Sequence, residues 1–309
     1  MDKMSTPKPR SLSVTVSPRQ EGMTVKSLLR REFHMSDSYI ARLKLRPEGI
    51  RRNGERVFTT ARVSAGDVLT VRVEDAAGKN AAAPISAPLS FVYEDEDLAV
   101  LNKRAGMAVH GSERGAEPTI ANALAFLWGA QQPFHPAHRL DRGTSGLMVI
   151  AKSAYAHELL RRELHTPDFD REYVALVRGE IENTQGVVDL PIGREEGHPT
   201  RRRVCADGQS ARTEYEVLDV FPGGSLVRLR PLTGRTHQLR VHMAALGHPL
   251  FGDRLYDPAG EDCLAYPALH AGRIELCQPI TGQRLTLTAP MRQEMQASWD
   301  EKRGKTIQK

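Results

Sequence analysis

Residues 138–146 read HRLDRGTSG. One acidic residue, Asp141, stands between Arg139 and Arg142, and the small residues Gly143, Thr144, Ser145 and Gly146 follow. Directly after them GLMVIAK (146–152) forms a short apolar run bounded by glycine, the signature of a buried strand. On its own the motif has a simple reading as a salt-bridged turn whose glycines supply backbone freedom. Its surroundings decide whether more is meant.

Working outward, strands are predicted at EYVALVRG (172–179), ARTEYEVLDV (211–220), SLVRLRP (225–231), GRIELC (272–277) and RLTLTAP (284–290). Helices fit PTIANALAFLW (118–128), SAYAHELLRREL (153–164) and THQLRVHMAALG (236–247). Strands outnumber helices and often follow one another without a crossover helix. The pattern predicts an α+β domain with a mainly antiparallel mixed sheet, not a doubly wound one.

Upstream, TVKSLLRREFH (24–34) and DSYIARLKLR (37–46) carry apolar positions three and four apart, with Ser36 placed to cap the second helix. Asn53-Gly54 is a hairpin dipeptide, and VLTVRVE (68–74) alternates as a strand. A small N-terminal α/β domain is therefore expected over 11–75. The Ala/Pro/Gly-rich stretch 76–89 reads as a linker, 90–291 as the main catalytic domain, and 292–309 as a polar, frayed tail.

The net charge is +5, unevenly placed: residues 1–75 carry 15 Lys/Arg against 9 Asp/Glu, the remainder 28 against 29. Arg42, Lys44, Arg46 and Arg51 cluster near the second helix. A basic front end on a near-neutral body suits a polyanion partner, with a solvated basic surface as the plainer alternative.

Several classes lose their support. No run of 18 apolar residues is present and the N-terminus lacks the apolar core of a secretory signal, so a cytoplasmic protein without a membrane span is expected. Cys205, Cys263 and Cys277 make neither C-x-x-C nor an even set. His135/His138 and His237/His242 lack zincin spacing, and no metal is expected. There is no G-x-G-x-x-G, the GKT at 304–306 lacks a phosphate-loop glycine, and Ser145 is in no G-x-S-x-G elbow. No cofactor is expected.

Three further stretches weigh on the reading of HRLDRGTSG. REYVALVRGE (171–180) sets Tyr173 on a strand, where a half-buried tyrosine is the ordinary outcome. PLTGRTHQLRVHMAALGHPLFGD (231–253) places Arg235 and Thr236 after a glycine at a helix start, with Arg240 and His242 further along. VYEDEDLAVLNKRAGMAVH (92–110) is a hairpin whose Gly106 and His110 could line a loop.

In order and spacing, HRLDRGTSG, REYVALVRG and GRTHQLRVH resemble the motif series of the RluA/RluD family of pseudouridine synthases, over residues 90 to 290. LHAGRIELCQPITGQRLTLTAP (269–290) resembles the family's closing strands. The resemblance implies the pseudouridine synthase fold, RNA as partner (large-subunit ribosomal RNA above all), an isomerase acting as a monomer, and no cofactor. It puts the catalytic aspartate at Asp141, the gap-filling arginine at Arg139, the base-packing tyrosine at Tyr173, the basic partner of the aspartate at Arg235, and an apolar base contact at Leu239. Arg142 and His138, in the same motif, join the residues expected to meet RNA. Two positions depart from the family pattern, Arg104 for the proline of the NKPxG turn and Gln278 for a histidine before the closing proline. The front unit is similar to the small RNA-binding domain shared by a ribosomal small-subunit protein and some tRNA synthetases, although LKLRPEGIRRNG (43–54) carries extra residues.

The chemistry implied would break the uracil N1–ribose bond and rejoin the sugar at carbon 5, with no redox change or group donor. A uridine inside a helix must first leave the stack, at a cost of a few kcal/mol. A planar guanidinium such as Arg139 suits the vacated space. Asp141 would act on the ribose or on the ring, or take a ribose proton. A cation within about 4–6 Å keeps such a carboxylate ionised. Tyr173 would stack on the ring and stand near the carbon-5 proton. The run Arg201-Arg202-Arg203 is a phosphate contact or a solvated loop. Two other classes compete: an RNA-binding assembly factor without catalysis, and a glycosidase pairing Asp141 with Glu172 at roughly 5–9.5 Å.

Overall fold

The computed structural model describes residues 10–73, 82–111, 117–130, 133–164, 166–257 and 264–304. Of the stretch read as a linker, residues 76–81 lie outside these, as do Cys263 and most of GKT 304–306.

The front unit is a four-stranded antiparallel sheet in the order β1 (Arg10–Thr15), β4 (Val68–Val73), β2 (Ile50–Arg52), β3 (Glu55–Arg56), with helices α1 (Val25–Glu32) and α2 (Asp37–Leu43). Thr24 and Ser36 cap the two helices by accepting from the Ser27 and Tyr39 amides. Alternation in β4 buries Leu69, Val71 and Val73 against Leu28, Leu29, Ile40 and Leu43.

The main unit contains β5 (Phe91–Glu94), β6 (Leu98–Lys103), α3 (Ile120–Trp128), β7 (His135–Pro136), β8 (Ser145–Ala151), α4 (Ala154–Glu163), β9 (Asp170–Arg178), β10 (Gln185–Asp189), β11 (Ile192–Arg194), β12 (Arg202–Val204), β13 (Arg212–Phe221), β14 (Gly224–Pro231), α5 (Gln238–Ala245), β15 (Leu269–Cys277), β16 (Arg284–Thr288) and α6 (Gln293–Lys302). The large sheet runs β10-β13-β14-β9-β15-β8-β6-β5, with β16 on β15 and β7 on β8. Among the described residues only the β15–β8 pair is parallel, so the expected mixed, mainly antiparallel sheet is found. Strand β8 is buried at all seven positions, as its unbroken apolar run requires. Hairpin β11–β12 stands apart as a two-stranded ribbon.

Gly146 is where β8 enters the sheet beside β15. Its φ is +107°, and a Cβ there would come within 2.3 Å of the Ala271 carbonyl oxygen. Only glycine allows both the backbone angle and the close approach. This explains the last letter of HRLDRGTSG.

Two expectations are corrected, and the two units meet in a way the sequence did not announce. The 292–309 stretch is not a frayed tail throughout: α6 buries Met295 and Ser298, and Trp299 Nε1 donates to Asp219 Oδ2 at 2.9 Å. Residues 82–90 hold no helix or strand, but they are docked on α3, with Asn122 bonded to both Ala83 and Ile85 and with Ala87 and Leu89 against the core. Finally, the front unit shares a core with the main one. Tyr155 and Leu159 of α4 pack among the front-unit apolar residues, while Ala156 and Leu160 on the adjoining face pack under the large sheet. Polar contacts reinforce the joint: Glu158 accepts from the Ser36 amide and hydroxyl at 2.7 Å, and Arg10 pairs with Asp97. Among the described residues no helix is long and apolar enough to cross a membrane.

Candidate active site

The loop entering β8, the middle of β9 and the start of α5 meet around one cavity of about 890 Å³. Sheet order explains the meeting. Strand β15 lies between β8 and β9, and Ala271 of β15 is in register with both Gly146 and Tyr173. Asp141 therefore sits one strand away from Tyr173. Strand β14, on the other side of β9, delivers the chain through 232–237 into α5.

Asp141, Tyr173, Arg139, Leu239 and Arg235 all line this cavity. The Thr144 amide donates to the Asp141 carbonyl at 3.1 Å, closing a tight turn that leaves the carboxylate partly exposed. Tyr173 is buried to 6 % exposure, and burial raises its hydroxyl pKa, with Asp141 acting in the same direction and Arg171 against it. Its hydroxyl makes no hydrogen bond among the described residues. Arg139 is exposed at the rim and forms no ion pair among the described residues. Leu239 supplies an apolar wall, with 6 % exposure.

The cation beside Asp141 is Arg240, not Arg235. Arg240 Nη1 lies 3.6 Å from Asp141 Oδ2. Arg235 is exposed, and its Nε donates to the Ser210 carbonyl at 3.0 Å. Arg240 is held rigidly: Nε and Nη2 each donate at 2.6 Å to the two oxygens of Asp253, which is fully buried. Burial works against the Arg240 charge, but Asp253 and then Asp141 outweigh it and its pKa is raised. The bidentate fork fixes one face of the guanidinium and turns the remaining nitrogen toward Asp141.

Two other residues expected to meet RNA are bonded to backbone groups of the protein itself. His138 lines the cavity but is 8 % exposed, and its Nε2 accepts from the Val149 amide at 3.2 Å. Arg142 does not line the cavity: its Nε donates to the Gly106 carbonyl at 2.8 Å and its Nη2 pairs with Glu117 at 2.5 Å. Of the 201–203 run, Arg202 lines the cavity, whereas Arg201 pairs with Glu195 at 3.2 Å. Glu172 lies on the opposite strand face from Tyr173, paired with Arg273 at 3.1 Å and Arg228 at 3.7 Å. It does not line the cavity, so the carboxylate pair of the glycosidase reading does not form. Among the described residues no three potential metal ligands come together.

Sequence reasoning overlooked Lys103, His237, Asp253 and Tyr256. Lys103 is 2 % exposed and donates to the Met107 and Arg142 carbonyls at 2.9 and 3.1 Å, pinning the Asp141 turn from beneath. Burial pushes its pKa down to about 7, against the pull of Asp141. His237 approaches Asp141 Oδ2 to 4.0 Å. The signal that could have found Arg240 and Asp253 is simple: an arginine within an otherwise apolar stretch of helix needs a buried acidic partner.

Burial of His138 pushes its pKa down to about 3. A folded-state value below the unfolded one means that this contribution is complete above the ordinary histidine range and is lost as pH falls toward 3. Between pH 6.5 and 4.5 it amounts to roughly 2–3 kcal/mol. His138→Gln keeps an acceptor for Val149 and has nothing to protonate. Its urea midpoint should fall less than the parent's between pH 7.5 and 4.5; parallel pH dependences would contradict this.

Comparison with known proteins agrees with the geometry. The RNA pseudouridylate synthase family profile matches residues 97–245. An uncharacterised RNA pseudouridine synthase of Bacillus subtilis is 35% identical over 293 residues, covering 93% of this chain and 96% of that protein. Ribosomal large subunit pseudouridine synthase D of Vibrio cholerae is 39% identical over 261 residues, 79% of this chain and 80% of its own. The solved structure of human RNA pseudouridylate synthase domain containing 1 superposes with a TM-score of 0.57 at 30% identity, covering 66% of this chain and 83% of that one. With Asp141, Tyr173 and Arg240 on one cavity of such a sheet, this chain belongs to the RluA/RluD family of RNA pseudouridine synthases, isomerases that act on RNA.

Proposed function

We propose that the protein isomerises uridine to pseudouridine in large-subunit ribosomal RNA, with Asp141 supplying the reacting carboxylate. The observation that carries this is the convergence of Asp141, Tyr173, Arg240, Leu239 and Arg139 on one cavity large enough for a nucleotide. The likeness to the Vibrio cholerae ribosomal large subunit pseudouridine synthase D supports the choice of RNA.

The roles follow from placement. Arg139, unpaired at the rim among the described residues, occupies the gap that a flipped nucleotide leaves in its helix. The extruded uracil lies between the Tyr173 ring and the Leu239 wall. Arg240, 3.6 Å away, holds the Asp141 carboxylate aimed into the cavity. After the N1–ribose bond breaks and the C5–ribose bond forms, the carbon-5 proton leaves and N1 gains one, so atoms and charge balance. Tyr173, buried and with a raised pKa, is protonated at neutral pH and serves first as a packing surface.

The front unit supplies RNA affinity. Arg42 and Lys44 are exposed and flank Leu43 and Leu45 in sequence; Leu45 is 76% exposed, and Phe58, elsewhere in the front unit, is 81% exposed. Arg42 also lies over the Tyr39 ring, and Arg46 and Arg51 extend the basic surface, although Arg51 is tied to Glu48 and to the Gly54 carbonyl. Exposed apolar and basic side chains in one small unit suit unstacked bases with their phosphates.

The test is to map pseudouridines in total RNA from cells lacking the protein, then restore the parent or Asp141→Asn. The reading predicts one or more lost sites in large-subunit RNA, restored by the parent alone. No lost site, or full restoration by Asp141→Asn, would overturn it.

A further inference from the structure

His237 holds the left-handed conformation, φ 58° and ψ 16°, at the residue before α5. A non-glycine residue keeps such a backbone only where its surroundings over-determine it. Here one ring nitrogen is hydrogen-bonded and the other is turned to a carboxylate. Nδ1 lies 2.8 Å from the Tyr256 hydroxyl, and Nε2 faces Asp141 Oδ2 at 4.0 Å.

The hydrogen-bond directions can be worked out. The Arg202 amide donates to the Tyr256 hydroxyl oxygen at 2.8 Å. A phenol has one proton to give, and among the described residues His237 Nδ1 is the one acceptor in reach. Tyr256 therefore donates to Nδ1. A neutral imidazole whose Nδ1 accepts carries its proton on Nε2. That N–H faces the carboxylate.

Tyr256 is itself flanked by arginines from two segments, α5 and the turn that precedes β12. Arg240 lies 4.9 Å from its ring centroid and Arg201 lies 5.8 Å from it. Arg202 opens β12, and with Arg194 of β11 it lines the cavity. The chain of contacts runs from the β11–β12 hairpin through Tyr256 and His237 to Asp141. Tyr256 does not line the cavity, so it acts only through its neighbours.

We propose that Tyr256 is a positioning residue for the isomerisation, holding His237 as the Nε2–H tautomer against Asp141 and tying that alignment to the β11–β12 hairpin. The assignment rests on the reading of Asp141 as the reacting carboxylate. Protonating His237 would place a second cation against Asp141 beside Arg240 and draw the carboxylate away from the substrate. Burial lowers the His237 pKa; Asp141 and Asp253 oppose this, and Arg240 and Arg202 reinforce it. The hydroxyl bond to Nδ1 adds to the neutral form, because it exists only while Nδ1 is unprotonated.

Tyr256→Phe keeps the ring between the two arginines and removes the hydroxyl alone. We expect kcat to fall about 3- to 10-fold with KM for RNA unchanged, and the acid limb of kcat to move up by roughly half to one pH unit. In the RNA-free parent, side-chain nitrogen NMR should show His237 protonated at Nε2, and Tyr256→Phe should show mixed tautomers. An Nδ1-protonated parent, or a variant with unchanged spectrum and acid limb, would overturn the assignment. Should Tyr256→Phe fail to fold, His237→Gln and His237→Leu decide: Gln, with an amide near the Nε2 position and no ionisation, should retain kcat above that of Leu, and equal losses would overturn the proposal. Activity in Asp141→Asn would sink the function reading instead, and the NMR spectrum of the RNA-free protein would still report on the tautomer.

Discussion

Arg240→Met should lower unfolding stability by about 3–5 kcal/mol, because it leaves the fully buried Asp253 carboxylate without its cation. Asp253 also accepts from the Leu255 and Tyr256 amides, at 3.2 and 3.3 Å, so the loss reaches the loop that carries Tyr256. In whatever fraction stays folded, Asp141 loses the charge 3.6 Å away, and kcat should fall by about 10²-fold or more. Arg235→Met serves as the contrast. That side chain is exposed and bonded to a carbonyl, so its substitution should change stability by no more than about 0.5 kcal/mol. Urea unfolding of the two variants checks the difference. Equal stabilities would show that the Arg240–Asp253 fork does not hold the site.

The second large effect belongs to Asp141→Asn. Isomerisation should drop by about 10⁴-fold or more, the scale on which enzymes lose a reacting group. The fold should persist for identifiable reasons. The turn is closed by the Asp141 carbonyl rather than its carboxylate, and Arg240 keeps its fork on Asp253. RNA affinity should persist because Arg139, Arg202 and the front-unit cations are untouched.

The parts of this site that could be read from the chain are those with local signatures. HRLDRGTSG marked the turn, and Gly146 marked the close approach of β8 to β15. The apolar run of β8 and the strand pattern of β9 set Asp141 before one strand and Tyr173 on another of a mixed sheet, but did not show that β15 would lie between them. What escaped depended on contacts across the fold. The left-handed kink at His237 has no periodic signal, and it resets the helix phase so that Leu239 and Arg240, not Arg235, turn toward Asp141. The partner of Arg240 comes from a loop beyond the helix, and the anchor of Tyr256 from a hairpin before it.

The same limit explains the ends of the chain. Met295 and Trp299 are one helical turn apart in a polar stretch, too few apolar positions to announce α6, yet they suffice to dock it beside Phe251 and Asp219. Helix α4 carries two adjoining apolar faces, and only the presence of the front unit explains why Tyr155 and Leu159 need cover. Arg142 and His138 read as RNA contacts because they flank the aspartate, and nothing in that local pattern announces the backbone bonds each makes, to Gly106 and from Val149.

The most direct test is release of the carbon-5 hydrogen, measured with tritium-labelled uridines in large-subunit RNA from cells lacking the protein, at stoichiometric enzyme. The account predicts full release at the target sites by the parent and none by Asp141→Asn on the same timescale, with RNA bound within about threefold of the parent affinity. Release by Asp141→Asn within about tenfold of the parent rate would contradict it.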